Sequence, residues 1–324
     1  MDVSVVVPTY NRRSVLQRTV QRLLEQEFSQ ERYEIVVVDD QSTDDTREWL
    51  EEARTQYAQL VVVRNPSKGR GQARNAGIGA ATGQIICFVD DDVWVAPGFV
   101  AAHWRAHQRH GPKAVIVGKL SACPETARTI ANQYDDARLV RVEQRIEAAS
   151  GNLHAVYFRT GNVSVSSDFV REIGGFDESF KGYSYEDSEL GYRLMANGAV
   201  FRYAPDAAGV HYTDTTIADL LRKKAEAGRS AVTFLRRWPE AADRVSAPFV
   251  VPGVPTTDRR DGLAKRSAKA LALCPLSEVL MRGLLAAAVG LRHRGASFVL
   301  LDCLGWVEYA KAFRRAARDS RPAD

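Results

Sequence analysis

Residues 85–92 read Ile85-Ile86-Cys87-Phe88-Val89-Asp90-Asp91-Asp92, five apolar residues that stop abruptly in three carboxylates. A short apolar run ending in polar residues has the signature of a strand buried on both faces of a sheet. The pattern recurs upstream. Val3–Val7 ends in Pro8-Thr9-Tyr10-Asn11, Ile35–Val38 ends in Asp39-Asp40, and Val61–Val63 is a further apolar run. Helical stretches lie between them at Ser14–Glu27, Thr43–Gln56 and Gly71–Ala81. Such alternation implies right-handed crossovers and an α/β fold with a mostly parallel, Rossmann-like central sheet flanked by helices. Ligands in these sheets bind beyond the carboxyl ends of the strands. Three polar clusters at such ends therefore converge on one crevice.

The pattern loosens from about Ala114. Further strands are expected at Val115–Val117, Gly161–Val165 and Val200–Tyr203, with helices at Ser166–Glu172 and at Glu186–Asn197, the latter stopped by Gly198. Beyond His211 a helix is expected over Thr216–Arg237, ending before Pro239. Residues 247–261 are rich in Pro and polar residues and read as a linker. Residues 262–318 resume as two or three helices, and no internal repeat is evident.

Four scattered cysteines without CxxC spacing argue against a disulfide framework or a zinc site and fit a reducing cytosol. The opening MDVSVVVPTYNRR reads as a strand rather than a signal peptide. The longest apolar candidate, around Leu284–Leu291, is flanked by Arg282 and Arg292 and falls short of the roughly 18 residues a span needs. A cytoplasmic protein is expected. Residues 1–215 carry 24 Lys+Arg against 29 Asp+Glu, while residues 216–324 carry 20 against 11. The basic C-terminal third suggests an anionic partner. It lacks interleaved aromatic platforms or a nucleic-acid motif, so nucleic acid is not expected.

Carboxylates are hard oxygen ligands suited to Mg²⁺ or Mn²⁺, which often keep waters and substrate phosphates as their remaining ligands. In extended backbone Asp90 and Asp92 point the same way, so one can reach a ribose while the other meets a metal. A solvated turn is the alternative. Three like charges at a strand end repel unless a cation is present, and this favours the functional reading.

The spacing resembles the family 2 glycosyltransferases with the GT-A fold. The resemblance rests on Val5-Val6-Val7-Pro8-Thr9-Tyr10-Asn11, Val37-Val38-Asp39-Asp40-Gln41-Ser42-Thr43-Asp44, Gly71-Gln72-Ala73-Arg74-Asn75-Ala76-Gly77 and Phe88-Val89-Asp90-Asp91-Asp92 with Pro97. Gly174-Gly175-Phe176-Asp177-Glu178 and Glu186-Asp187-Ser188-Glu189-Leu190 with Arg193 continue it. It covers roughly residues 2–213. It implies a catalytic domain over 1–215, with a nucleotide-sugar half (about 1–113) and an acceptor half (about 114–215). A helical extension (216–246), the linker (247–261) and a C-terminal helical region (262–324) follow.

The resemblance carries roles residue by residue. Pro8, Thr9 and Tyr10 lie where family members hold the base. Asp39 and Asp40 match the acidic pair near the uracil and ribose, although a cap for the helix near Thr43 is the rival reading, a job Ser42 or Asp44 could also do. Lys68 and Arg74 supply positive charge near the nucleotide and its phosphates, Arg74 having a surface-helix role as its alternative. Asp90 is assigned to the ribose, Asp91 to the nucleotide less specifically, and Asp92 to the metal with His211. Asp187 matches the family's catalytic base, with Glu186 orienting or contacting the acceptor; acids at a helix start are also good helix chemistry. Gly161-Asn162 fits a motif lining the donor or acceptor pocket, or Asn162 caps a turn. Lys181-Gly182-Tyr183-Ser184 reads as a mobile segment able to cover the acceptor, and much of the acceptor pocket is expected from 119–160. His103 and His107, four apart on an expected helix, have ligand-compatible spacing but no partner acid, and with His110 are read as surface residues.

The implied function is inverting transfer of a sugar from a nucleotide-sugar, UDP-sugars favoured, to an acceptor hydroxyl, with Mn²⁺ or Mg²⁺ as cofactor. The acceptor could be a glycan, a lipid-linked molecule or a small molecule. A nucleotidyltransferase is the runner-up, but Pro8-Thr9-Tyr10-Asn11 is no Gly-rich phosphate loop; a non-catalytic sugar-binding protein is the third reading. In the C-terminal region Leu276, Val279, Leu280, Gly283, Leu284 and Ala287 form one apolar stripe. Val299, Leu300, Leu304, Val307 and Ala310 form another, followed by Lys311, Arg314, Arg315 and Arg318. These stripes are expected to pack on the catalytic domain or in a homodimer, or to lie on the inner face of the cell membrane.

Overall fold

The computed structural model describes residues 1–149, 151, 153–180, 182–243 and 274–319. The expected linker (247–261) and the start of the C-terminal region (262–273) lie outside the described residues, as does Lys181. The chain forms two compact units. One comprises Met1–Thr126, Asp136–Lys181 and Glu186–Thr213; the other comprises Ala127–Asp135, Gly182–Tyr185 and the residues from Asp214 onward.

The first unit is α/β. Its strands are β1 (Val3–Thr9), β2 (Tyr33–Asp39), β3 (Leu60–Arg64), β4 (Ile85–Val89), β5 (Val93–Val95), β6 (Ala114–Ala122), β7 (Asn162–Ser166) and β8 (Val200–His211). They form one sheet in the order β3-β2-β1-β4-β7-β6-β8-β5. The first four are mutually parallel. Strand β7 then runs antiparallel to both β4 and β6, β8 is parallel to β6, and β5 is antiparallel to β8. The parallel expectation thus holds for the N-terminal half, and the direction changes at the β4–β7 seam. The seam pairs Val89 with Asn162, which brings Gly161 beside Asp90. A Cβ on Gly161 would stand 3.2 Å from Asp90 Oδ2.

Helices α1 (Arg13–Leu24), α2 (Thr46–Gln56), α3 (Arg70–Ala80), α4 (Phe99–His110), α5 (Ile130–Ala148), α6 (Ser167–Glu172) and α7 (Glu186–Ala196) complete the α/β succession. Leu16, Val20 and Leu23 of α1 and Leu50 and Ala53 of α2 are spaced three and four apart, and they bury against Val5, Val7, Ile35 and Val37. Helix α3 lies so close to the sheet that a Cβ on Gly77 would come within 2.3 Å of Val6 Cγ1. Helix α2 starts three residues later than its sequence suggests. Asp39 Oδ1 accepts from the Ser42 N–H (2.9 Å) and Asp44 Oδ1 from the Thr46 N–H (3.1 Å), so residues 42–45 are spent on the turn.

The surface reading of His103 and His107 is overturned. Both are buried on the inner face of α4. His103 Nε2 lies 2.9 Å from Asn162 Oδ1 and its Nδ1 is 2.8 Å from Ser164 Oγ, which is also 2.9 Å from His107 Nε2. They share the buried face of α4 with Phe99, Val100 and Ala102, which turns both imidazoles toward the sheet. The Asn162 amide nitrogen donates to Lys119 O (3.0 Å) and Ala207 O (2.8 Å), bridging β6 and β8 where their register shifts. Asn162 is therefore a pin inside the sheet, neither a pocket wall nor a turn cap.

Burial depresses the imidazoles of His103, to about 4, and of His107, to about 3. Above pH 6.5 His103 is neutral in both folded and unfolded chains. Below it the unfolded chain takes up a proton that the folded protein refuses until about pH 4, so stability is lost as pH falls through that window. His103→Gln keeps a donor for Asn162 and removes this titration. Its destabilisation relative to wild type should shrink by about 2 kcal/mol between pH 7 and pH 5 in urea melts. A pH-independent difference would show that the site is not desolvated.

The second unit is built on α8 (Ile217–Arg237), α9 (Pro275–Gly290) and α10 (Arg294–Asp319). Thr216 and Asp219 cap α8 reciprocally: Thr216 Oγ1 accepts from the Asp219 N–H (3.1 Å), and Asp219 Oδ2 from the Thr216 N–H (3.3 Å). Leu220 and Leu221 pack with Leu285, Leu301 and Leu304 and with Ala131 and Tyr134. Helices α8 and α10 meet closely at Gly228, where a Cβ would stand 2.2 Å from Tyr309 O. Gly182–Tyr185 belongs to this unit: the Tyr183 N–H donates to Glu226 Oε2 (3.0 Å), and the Tyr185 and Tyr309 hydroxyls are 3.3 Å apart. Of the two expected apolar stripes, that of α10 is largely buried through Leu304, Val307 and Ala310. The α9 stripe faces solvent instead, and α9 packs through Leu285 and Ala288.

Candidate active site

Every site residue expected from the sequence lies in the α/β unit, at the carboxyl ends of β1, β2 and β4, in the loop between β3 and α3 (Lys68), or on α3, α7 and β8. The β1 and β2 ends are laced together. Asn11 Oδ1 accepts from the Thr43 N–H (2.7 Å), and the Asn11 N–H donates to Ser42 Oγ (3.0 Å). Tyr10 stands half-exposed at this edge with Lys68 Nζ 3.8 Å above its ring. Asp39 is buried, and its Oδ2 has no hydrogen-bond partner. Asp40 is committed to the next loop, its Oδ1 accepting from the Gly69 N–H (2.9 Å) and from Asn65 Nδ2 (2.6 Å).

The acidic run divides into three environments. Asp91 is buried; its Oδ2 accepts from Thr9 Oγ1 and its Oδ1 from Arg12 Nη1, both at 2.8 Å, and burial pushes its carboxyl upward. Asp92 Oδ2 accepts from the same Arg12 Nη1 at 2.8 Å, while its Oδ1 lies 3.5 Å from His211 Nε2. Asp90, the most open of the three, lies 3.3 Å from Arg74 Nη2. The mutual repulsion of the three acids is therefore met in part by the chain itself, through Arg12 and Arg74. Burial alone would lower the pKa of Arg12, but Asp92 and Asp91 more than offset it and hold the guanidinium charged.

The α3 motif proves to be three devices in one turn of sequence. Gly77 allows the close approach to β1. Asn75 clamps Phe176, donating to its carbonyl (2.9 Å) and accepting from its N–H (2.8 Å). Gly174 and Gly175 supply the left-handed turn (φ 87° and 65°) that presents Phe176. Arg193 fixes that turn by donating to Ile173 O (2.8 Å) and Gly175 O (2.6 Å) while paired to Glu189. Arg74 itself is buried and no surface residue. Its Nη1 lies 3.3 Å from Glu186 Oε1 and 3.7 Å from Asp187 Oδ1, so one guanidinium serves Asp90, Glu186 and Asp187. Burial, then repulsion by Asp187, raises the carboxyl of Glu186 against the opposing pull of Arg74.

Asp187 occupies the first turn of α7. Its Oδ2 accepts from the Thr160 N–H (3.2 Å) and Thr160 Oγ1 (3.0 Å), and its Oδ1 makes no hydrogen bond. On the opposite edge Thr213 Oγ1 donates to Asp136 Oδ1 (2.7 Å) and lies 3.1 Å from His211 Nδ1. A hydroxyl that spends its hydrogen on a carboxylate must accept from the imidazole. Nδ1 therefore carries a hydrogen, and Nε2 is the nitrogen turned to Asp92. Arg12, Thr160, Asp136 and Thr213 were not found by sequence reasoning. Arg12 adjoins a quoted motif and could have been; the others are brought in by β7, α5 and the end of β8, whose pairings sequence does not reveal. Among the described residues no three His, Cys, Asp or Glu side chains converge on a metal-sized space.

This is a GT-A architecture, an α/β sheet with its acids gathered at the strand ends. A model of glycosyl transferase family 2 matches residues 4–171, and one described as the N-terminal domain of galactosyltransferase matches residues 141–214. The first match spans more than half of the sequence, and the chain belongs to glycosyl transferase family 2. Validoxylamine A glucosyltransferase of Streptomyces hygroscopicus subsp. jinggangensis is 33% identical over 232 residues, covering 64% of this chain and 54% of the relative. Pre-mycofactocin glycosyltransferase of Mycobacterium tuberculosis is 28% identical over 253 residues, covering 78% of this chain and 50% of the relative. The chain thus spans about half the length of these curated relatives. Among solved structures, the mannosyltransferase PcManGT of Pyrobaculum calidifontis, in complex with GDP-Man and Mn²⁺, shares the fold with a TM-score of 0.60 at 19% identity, covering 98% of this chain and 88% of its own. S. aureus TarS 1–349 with UDP-GlcNAc gives 0.55 at 17% identity, covering 97% and 92%.

Proposed function

We propose that this chain is an inverting glycosyltransferase that moves a sugar from a nucleoside-diphosphate sugar to an acceptor hydroxyl. The observation that carries the reading is Asp187, one oxygen held by Thr160 and the other without a hydrogen bond. As the acceptor oxygen bonds to the anomeric carbon, Asp187 Oδ1 takes its proton. The bond from that carbon to the diphosphate breaks, and its electron pair leaves with the diphosphate. The unsatisfied Asp39 Oδ2 supports a contact to a nucleotide N–H or O–H. Tyr10, beside Thr9 and Pro8, is placed to meet a base, with Lys68 adding positive charge. Asp90 remains open enough for a ribose. Asp91 and Asp40 act indirectly, the first by holding Arg12 and Thr9 and the second by holding the Gly69 loop. Glu186 orients Arg74 rather than touching the acceptor.

Asp92 and His211 fit a Mn²⁺ or Mg²⁺ ion, since a carboxylate oxygen and an imidazole nitrogen of fixed tautomer face each other, and donor phosphates with waters would supply the other ligands. When bound, such an ion would neutralise charge on the leaving diphosphate. The structure of PcManGT in complex with GDP-Man and Mn²⁺ supports a metal-assisted donor site. UDP-sugars are the favoured donors on the resemblance to a family that uses UDP widely, and the TarS complex with UDP-GlcNAc supports this. The domain scheme proposed is catalysis over 1–215 and a helical extension after it.

The test is release of nucleoside diphosphate from UDP-, GDP- and dTDP-sugars with and without Mn²⁺, with the anomeric configuration of the product read by NMR. Retention of configuration would overturn the assignment of Asp187. A second expectation concerns the Asp136–Thr213–His211 relay. Thr213→Val frees the imidazole, and the Mn²⁺ concentration for half-activation should rise about 10–100-fold with little change at saturating metal. An unchanged Mn²⁺ titration would remove His211 from the metal site.

A further inference from the structure

Helix α9 is apolar on both sides. Leu285 and Ala288 are buried in the helical unit, but Leu276 (78% exposed), Val279 (69%), Leu280 (62%), Leu284 (50%) and Leu291 (81%) are not. Gly283, Ala287 and Gly290 lie among them and are exposed as well. With spacings of three and four this is one uninterrupted stripe running the length of the helix, and Val299 of α10 is exposed as well (62%). An apolar helix surface of this length calls for a partner.

Charge identifies the partner. Exposed Arg292, His293 and Arg294 stand at the C-terminal end of α9. At the other end Lys311 bonds to Glu278, so that α10 brings exposed Arg314 and Arg315, one turn on, beside the first turn of α9. Glu278 is the one acid in α9, and it is neutralised by Arg282 (2.8 Å) and Lys311. The leucine stripe is thus bracketed by cations at both ends. A second copy is a poor occupant. Antiparallel pairing along α9 sets Arg292 and Arg294 against the partner's Arg314 and Arg315 ends, and parallel pairing sets like end on like end. Crossing a bilayer is excluded for α9 by length, since 16 residues of helix reach about 24 Å against a hydrocarbon core of about 30 Å. Among the described residues no helix is long and apolar enough to cross a membrane.

We infer that α9 is an in-plane docking surface for an anionic lipid bilayer, its leucine stripe entering the acyl boundary while Arg292, Arg294, Arg314 and Arg315 engage lipid phosphates. Both halves of the surface are needed, because apolar insertion and charge each supply only part of the binding free energy. The inference is independent of the donor, acceptor and metal proposed for the α/β unit.

The experiment is co-sedimentation of the full chain with phosphatidylcholine vesicles and with vesicles containing phosphatidylglycerol. The protein should pellet with the anionic vesicles, stay in solution with the neutral ones, and be released as NaCl rises. The triple variant L276S/L280S/L284S should weaken binding about ten-fold or more. R292Q/R294Q should weaken it about five-fold per arginine. All of these positions are exposed, so circular dichroism and thermal melts should match wild type and separate lost binding from lost folding. Equal pelleting with neutral vesicles, or none with anionic ones, overturns the inference. So does a dimer in sedimentation velocity that the triple serine variant abolishes while wild type ignores anionic vesicles.

Discussion

Asp187→Asn should lower kcat by about 10²–10⁴-fold while leaving the affinity for nucleoside diphosphate within a factor of two or three. The substitution keeps shape and retains an oxygen that can accept from the Thr160 N–H and hydroxyl, so the first turn of α7 stays in place. What disappears is a carboxylate able to take a proton. Asp187 also lies 3.7 Å from Arg74 Nη1, so a purely structural role would show itself as lost stability and loosened nucleotide binding. The discriminating measurement is therefore a pair: steady-state turnover and nucleotide Kd by calorimetry. Turnover near wild type removes the general base; a parallel loss of both quantities converts Asp187 into a positioning residue. Thr160→Val is the companion. It strips one of the two donors from Oδ2 and should give a smaller fall in kcat, because the Thr160 backbone N–H still holds the carboxylate.

The parallel half of the fold was legible because β1, β2 and β4 announce themselves as apolar runs closed by polar residues, and buried strands have few other ways to be written. The site was legible where it coincides with those strand ends, at Thr9, Asp39 and Asp90–Asp92. It was not legible where it depends on pairings across the β4–β7 seam or the β6–β8 register shift. Asn162 falls at the start of an expected strand, where sequence allows a pocket wall or a turn cap, and only the sheet shows it joining His103 to two backbone carbonyls. The burial of His103 and His107 is not legible because sequence shows only their near neighbours, whereas their partners lie about sixty residues away on β7. Arg12 was passed over for a related reason. The acidic run by itself suggests a vacancy for a cation, but part of its counter-charge, Arg12, is already present in the turn after β1. In α9 the apolar periodicity was read correctly, but periodicity cannot say which of two apolar faces is turned inward.

Arg74 is the residue of the site whose loss should cost the fold most. One buried guanidinium faces three carboxylates, reaching Asp90 through Nη2 and Glu186 and Asp187 through Nη1. Burial would by itself depress its pKa, yet the pull of Asp187, Asp90 and Glu186 more than offsets this and keeps it charged. Arg74→Met keeps much of the volume and leaves the acids facing one another. Breaking a buried pair from one side costs about 3–5 kcal/mol. Asp90 and Asp187 are partly open to water, so most of the effect should come from Glu186, which is not. The pH dependence follows in sign. Glu186 is already raised in the folded protein, and without Arg74 it rises further above its value in the unfolded chain. A carboxyl shifted upward on folding loses stability as pH climbs from the unfolded value toward the folded one, so the variant should be worse at pH 8 than at pH 5.5. Arg74→Lys should rescue little, since one ammonium cannot span positions served by two nitrogens of a planar fork. Adding Glu186→Gln to Arg74→Met should recover stability and flatten the pH dependence. Urea melts of the four proteins at the two pH values decide the matter. Wild-type stability for Arg74→Met at pH 8 would mean that the acids find another cation or keep their protons, and Arg74 would then be a ligand-binding residue rather than the keystone of the site.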